Sequence, residues 1–358
     1  SIMREVYLPA YSVGDDAIAS SGSAFRRLGQ NGIIIGGHHA LDAAGEFLRD
    51  ALKKADVHVA DTVWYGGECT YAHMRRLAER AKACGADMVI GVGGGKALDT
   101  AKGCADMLGL PIITVPTIAS TCAAVTAISV VYDDSGVFLE SMFHQSPPNY
   151  TVIDTGILAN APECYLRAGI GDAMAKHIEC TLASRGRTLN HSSSMAVALS
   201  STTYQPNLLY GEAAMAEAKA HAAGEALEQV ALANIVSTGL VSLLIDEHYN
   251  GAIAHAVFYG MTRLPEFEKR VLHGDCVGYG MLVQEMVDGN RERFETLRAF
   301  FARMGIPTTI AQMGYVLDEQ LLAHVVPASL KALRDARLMP YELTEEQLRH
   351  AITAVEHF

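Results

Sequence analysis

Three residues suited to holding a metal ion sit in short apolar or small-residue settings in the second half of the chain. They are Asp172 in Gly169-Ile170-Gly171-Asp172-Ala173-Met174-Ala175-Lys176, His255 in Ala252-Ile253-Ala254-His255-Ala256-Val257, and His273 in Val271-Leu272-His273-Gly274. A buried ionisable group needs a partner or a metal. One carboxylate and two imidazoles make a site that binds Zn²⁺ or Fe²⁺ and leaves positions open for a substrate oxygen. A lone His in an apolar helix is more often a satisfied core residue, and 14 histidines make chance groupings cheap. The residues alone therefore leave both readings open. On a helix, His177 points to a different face from Asp172, whereas Lys176, four residues on, shares its face.

A second chemical feature is Asp87 to Lys102, DMVIGVGGGKALDTAK. Met88-Val89-Ile90-Gly91-Val92 reads as a strand buried on both faces. Gly93-Gly94-Gly95 breaks it, and Lys96 to Lys102 restarts as a helix. Without Cβ atoms the backbone can approach a phosphate closely, with the first helical N–H groups pointing at it. The run is neither G-x-G-x-x-G nor a P-loop, since Ala97 follows Lys96 and supplies no hydroxyl for magnesium. A tight turn without a ligand is the other reading.

The elements that must position these residues follow two textures. In the first half, Glu5 to Leu8 reads as a strand and Asp16 to Leu28 as a helix. Gly32 to Ile35 (strand), Ala40 to Lys54 (helix) and Val57 to Val63 (strand) follow. Thr70 caps a helix running to Cys84. Pro111 to Val115 and Ala127 to Tyr132 are again strand-like. This alternation predicts a mostly parallel sheet with helices on both faces and ligands at the carboxyl ends of its strands. The Gly36-Gly37-His38 turn carries no carboxylate to receive ribose hydroxyls; it reads either as a helix-leading turn without any ribose contact or as a site with weaker discrimination against NADP. From Asp154 on, long helical segments predominate, and the domain boundary is expected there.

A length of 358 residues allows two domains, and 19% charged residues with 50% hydrophobic suit a globular enzyme. A net charge of −12 argues against nucleic acid or an anionic membrane as partner. No apolar segment reads as a membrane span and no signal peptide is evident. Seven scattered cysteines without C-x-x-C favour reduced thiols and a cytoplasmic location. Ser1-Ile2 ahead of Met3 reads as a cloning remnant.

Together, VGGGKALDTAK, PTIAST (Pro116 to Thr121), GIGDAMAK, HAVFYG and VLHG resemble the metal-dependent, iron-type alcohol dehydrogenases, specifically the glycerol dehydrogenase branch. YGGECTY (Tyr65 to Tyr71) is similar to a GECS-type segment of that branch. The resemblance implies a Rossmann-like parallel-sheet α/β domain over 1–154 and an all-α helical domain over 155–358, a dehydroquinate synthase-like fold with the active site in the cleft between them. It implies one divalent metal, zinc or iron, on Asp172, His255 and His273, and NAD or NADP at Gly93, Gly94, Gly95 and Lys96. Thr117, Ser120, Thr126, Ile128 and Tyr132 match further cofactor-contacting positions, and Gly37 takes the ribose-reading place.

Three departures from the branch stand out: Gly37 and Cys122 where an Asp is usual, and Lys176 where polyol enzymes carry a small residue. The last two make the expected pocket more positive by two charges. Each is worth on the order of 4 kcal/mol toward a substrate carboxylate at an effective dielectric of about 20. Cys122 and Lys176 also resemble the hydroxycarboxylate dehydrogenase branch, which reduces 2-oxo acids. The bland readings are a Lys176 stem packed on its helix with its head in solvent and a Cys122 that merely fills space. The expectation is an NAD(P)-dependent dehydrogenase for a small secondary alcohol or 2-hydroxy acid, homo-oligomeric, with Lys176 and Cys122 facing substrate. The alternatives are an NAD-linked glycerol or polyol dehydrogenase, a sugar-phosphate cyclase of the dehydroquinate synthase type, and a non-catalytic binding protein.

Overall fold

The computed structural model describes residue 3 and residues 5–358; Ser1-Ile2 lies outside the described residues. The chain divides into two compact units, one reaching to Pro162 and including Ala216–Leu243, the other formed by Glu163–Met215 and Leu244–Phe358.

The first unit is built on strands β1 (Tyr11–Gly14), β2 (Asn31–Gly36), β3 (His58–Trp64), β4 (Met88–Gly93), β5 (Ile112–Pro116) and β8 (Tyr150–Asp154). They form one sheet in the order β1-β8-β5-β4-β2-β3, parallel throughout. Central strands covered on both faces need apolar residues at every position. Ile34 faces one core with Leu48, Val92 and Val152, while Ile33 and Ile35 face the other with Leu77, Val89 and Cys104. All three isoleucines are fully buried, each contributing about 2 kcal/mol. Thr70 caps the Tyr71–Ala83 helix, its Oγ1 accepting from the His73 amide at 3.1 Å.

Four expectations are corrected. Glu5 to Leu8 forms no strand; Val6 and Leu8 are more than half exposed, and the first ladder begins at Tyr11. The helix expected over Asp16 to Leu28 breaks at Ser21 into Ala17–Ser20 and Gly22–Leu28. β6 (Ile128–Tyr132) leaves the parallel sheet and pairs antiparallel with β7 (Phe138–Phe143), because the turn at Asp133 reverses the chain. There the Asp133 carboxylate accepts from the amides of Ser135 and Val137. Finally, Glu225–Leu244 is a helical run of 20 residues with mean hydropathy 1.5, long and apolar enough to span a membrane; 61% of its most apolar window is buried, as in a core helix.

The units also depart from a single cut at 154/155. Ala216–Leu243 joins the sheet unit because Asn234 Nδ2 donates to the Ala119 carbonyl at 3.1 Å and Gly239 lies against Val125.

The second unit is helical. Its centre is the His273–Asp288 helix, packed against Glu163–Ala183 and Ile253–Met261. Both long helices are buried on most faces, so neither shows a strong amphipathic stripe. Two glycines permit the closest approach: a Cβ on Gly171 would stand 2.2 Å from the Gly274 carbonyl oxygen, and one on Gly274 only 1.7 Å from that of Ala168. Backbone therefore meets backbone next to Asp172 and His273.

Candidate functional site

In the helical unit, Asp172, His255 and His273 bring their ligand atoms within 4.8 Å of one another. His273 Nε2 lies 3.1 Å and His255 Nε2 3.3 Å from the same oxygen, Asp172 Oδ1. The rings are 5.3 Å apart, and the edge of Phe258 closes on His273 at 4.3 Å between centroids. Asp172 and His255 are largely buried, while His273 keeps 41% of its side chain exposed. Two imidazole nitrogens and a carboxylate oxygen aimed at one point are a donor set that fits Zn²⁺ or Fe²⁺.

Electrostatics point the same way. Burial pushes the Asp172 carboxyl up, but hydrogen bonds with His255 and His273 outweigh it and hold the group well below the usual carboxylate range. Burial pulls His255 down, yet the carboxylates of Glu179 and Asp172 prevail and raise it to about 9. The pair of acids thus draws positive charge to this spot, proton or metal ion.

Sequence reasoning missed Glu179 and Gln284. Glu179 is 1% exposed, and its Oε1 lies 2.5 Å from His255 Nδ1. It sits seven residues after Asp172 on the same helix, a spacing that returns to the same face. That spacing was the available signal. The decoy His177 turns away, 2.7 Å from Ser200 Oγ, and burial holds it near 4. Lys176 is half-buried, with its ammonium donating to Asn250 Oδ1 at 2.7 Å. The partner is a neutral amide, so the bond orients the ammonium without cancelling its charge.

In the sheet unit, Gly93 ends β4 at φ 146° and pairs with Pro116 at the end of β5. A Cβ there would be both strained and 2.9 Å from that of Ala97. Gly94 caps the Gly95–Leu108 helix without a side chain, leaving its first N–H groups for an anion. Thr117 N donates to the Gly93 carbonyl at 3.1 Å, which fixes PTIAST beside the corner. Lys96 bonds Glu68 at 2.8 Å and stands 5.0 Å over the Tyr132 ring. Gly37 begins the His38–Lys54 helix, with no acid in its first turn and His38 stacked on Trp64 at 4.6 Å. Ser120 and Cys122 are half-buried, and no disulfide involves any cysteine among the described residues.

Thr126 and Ile128 turn their oxygens inward. Lys102, almost fully buried, donates to the carbonyls of Ala123 (2.8 Å) and Ile128 (2.6 Å) and to Thr126 Oγ1 (3.2 Å), and pairs with Asp99 at 2.9 Å. Asp99 in turn accepts from the Val130 amide. The signal in the sequence was an Asp and a Lys three residues apart, Asp99 and Lys102, on one face of the Gly95–Leu108 helix.

A glycine corner on a parallel sheet and an acid–imidazole trio in a helical unit are groups that a nicotinamide- and metal-linked dehydrogenase would use. The sequence pattern described as iron-containing alcohol dehydrogenase matches residues 9–155. A glycerol dehydrogenase from Escherichia coli is 32% identical, covering 97% of this chain and 95% of that protein. Hydroxycarboxylate dehydrogenase A, also from Escherichia coli, is 35% identical over 84% of this chain and 83% of its own. The crystal structure of glycerol dehydrogenase from Schizosaccharomyces pombe superposes with a TM-score of 0.88 at 27% identity, covering 100% of this chain and 91% of that one. The chain belongs to the iron-containing alcohol dehydrogenase family, oxidoreductases acting on CH–OH groups. Membership implies a nicotinamide-type cofactor and a metal.

Proposed function

We propose that this protein transfers hydride between NAD(P) and a small secondary alcohol, with Asp172, His255 and His273 holding a divalent zinc or iron. The observation that carries the reading is the convergence of the three ligand atoms within 4.8 Å. When bound there, the ion supplies Lewis acidity toward a substrate oxygen. The chain's own part is to hold the ion on buried ligands and to bind the pyrophosphate on the N–H groups after Gly93, with Thr117, Ser120, Thr126, Ile128 and Tyr132 shaping the cofactor's bed. Lys96 reaches the phosphates only by giving up Glu68.

For substrate we favour a 2-hydroxy acid and its 2-oxo acid. The tethered, uncancelled ammonium of Lys176 is the motive, with Cys122 in place of an acid removing a repulsive charge. The kinship to hydroxycarboxylate dehydrogenase A supports it, and the longer match to glycerol dehydrogenase supports the polyol reading instead. For cofactor, Gly37 in place of an acid admits NADPH as well as NADH.

Zinc- and iron-reconstituted enzyme assayed against 2-oxo acids, glycerol and neutral ketones with both reduced cofactors tests all of this. Replacing Lys176 with Ala is expected to raise KM for a 2-oxo acid at least about tenfold, the effect of some 1.4 kcal/mol, and to leave a neutral ketone within about twofold. Equal changes on both would remove the carboxylate assignment. Activity with NADH alone would remove the role given to Gly37.

A further inference from the structure

The helix Ile253–Met261, which carries His255, starts in the protein interior. The amides opening an α-helix have no partner within it. Here the Ala252 and His255 amides donate to Glu179 Oε2 at 2.7 and 2.8 Å. The Ile253 and Ala254 amides donate to Gln284 Oε1 at 3.1 and 3.3 Å, and Gln284 Nε2 donates to the Ile178 carbonyl at 3.1 Å. Two buried side chains from the flanking helices thus take the whole helix start, and the remaining Glu179 oxygen faces His255 Nδ1.

We propose that Glu179 is the positioning residue of the metal centre: its carboxylate keeps a proton on His255 Nδ1 and so presents Nε2 unprotonated to the ion. The inference rests on the metal-centre reading above, and it concerns which nitrogen binds rather than whether one does. The argument is one of counting. With the ion bound, Glu179 meets three donors, one ring N–H and two backbone N–H groups, and an ionised carboxylate only accepts. A glutamine in its place offers one oxygen and an NH₂ group. One donor must then face another donor, or the ring must reverse its tautomer and carry its proton on Nε2, where it blocks the metal. Gln284 holds the helix start on its own two amides, so the roles of anchoring and of setting the ring divide between two residues.

Zinc affinity measured by chelator competition, together with the visible spectrum of the cobalt-loaded protein, tests the division. Glu179→Gln is expected to bind zinc 10–100-fold more weakly than wild type with an altered cobalt spectrum. Glu179→Asp, which restores the acceptor at shorter reach, is expected to recover most of the affinity. Gln284→Leu is expected to lower Tm while holding zinc within about threefold of wild type. If Glu179→Gln binds zinc as tightly as wild type, or Gln284→Leu loses as much affinity as Glu179→Gln, the inference falls while the metal centre stands. If wild type itself takes up no zinc or cobalt, the metal-centre reading falls with it.

Discussion

The glycine corner and the acid–imidazole trio are assembled by opposite routes. Gly93, Gly94, Gly95 and Lys96 are consecutive, and the groups proposed to bind the pyrophosphate are backbone amides aimed by one strand end and one helix start. Asp172 and His273 are 101 residues apart, on helices whose backbones come this close beside them because Gly171 and Gly274 carry no side chain. The corner works with groups that do not titrate. The trio works with groups whose protonation depends on each other, and it leans on buried side chains behind it. A site of the first kind survives wherever its local turn survives, whereas one of the second kind is only as good as the helix packing.

The most drastic way to break this comparison is to remove a ligand. Asp172→Asn is expected to lose the metal and at least about a thousandfold in kcat, since several kcal/mol of charge stabilisation go with it. NADH affinity, read by fluorescence titration, is expected to stay within about twofold. Loss of both would show that the two sites are not separable. The sheet unit has its own dependence on buried charge at Lys102. Lys102→Met strands Asp99 in the core and is expected to cost about 3–5 kcal/mol in denaturant unfolding.

A smaller effect belongs to the helical unit. Burial lifts Glu285 from 4.5 to about 7, with Arg293 only partly opposing it. The folded state then holds this proton more tightly than the unfolded one, so the associated stability is full below about pH 4.5 and lost as pH rises through 7. Glu285→Gln is expected to stabilise the protein at pH 8 by about 2 kcal/mol and to flatten that pH dependence. The smallest change sharpens the comparison from the other side. Gly93→Ala is expected to weaken NADH binding about tenfold through backbone strain, with metal content unchanged.

Consecutive features were readable from residue order because their cause is local. The apolar run of β4, its glycine break and the Thr70 cap follow from side-chain volume, backbone freedom and one hydroxyl. Where a ladder partner decides, order was a poor guide. Glu5 to Leu8 has strand-forming residues yet pairs with no strand among the described residues, and Ile128–Tyr132 forms a strand that a turn at Asp133 diverts from the main sheet. Asp172, His255 and His273 were separate weak signals that only the family resemblance joined.

By itself, then, the amino-acid order determined the alternation of strand and helix, the glycine corner and the presence of an acid and two imidazoles in apolar settings. Tertiary structure alone decided that those three side chains meet, that Ala216–Leu243 packs with the sheet unit, that Glu179 stands against His255, that Gln284 takes the helix-start amides beside it, and that Lys102 gathers the oxygens of Ala123, Thr126 and Ile128. The physical reason is the same in each case. A buried polar group takes its meaning from the partner that satisfies it, and that partner is chosen by packing in space rather than by distance along the chain.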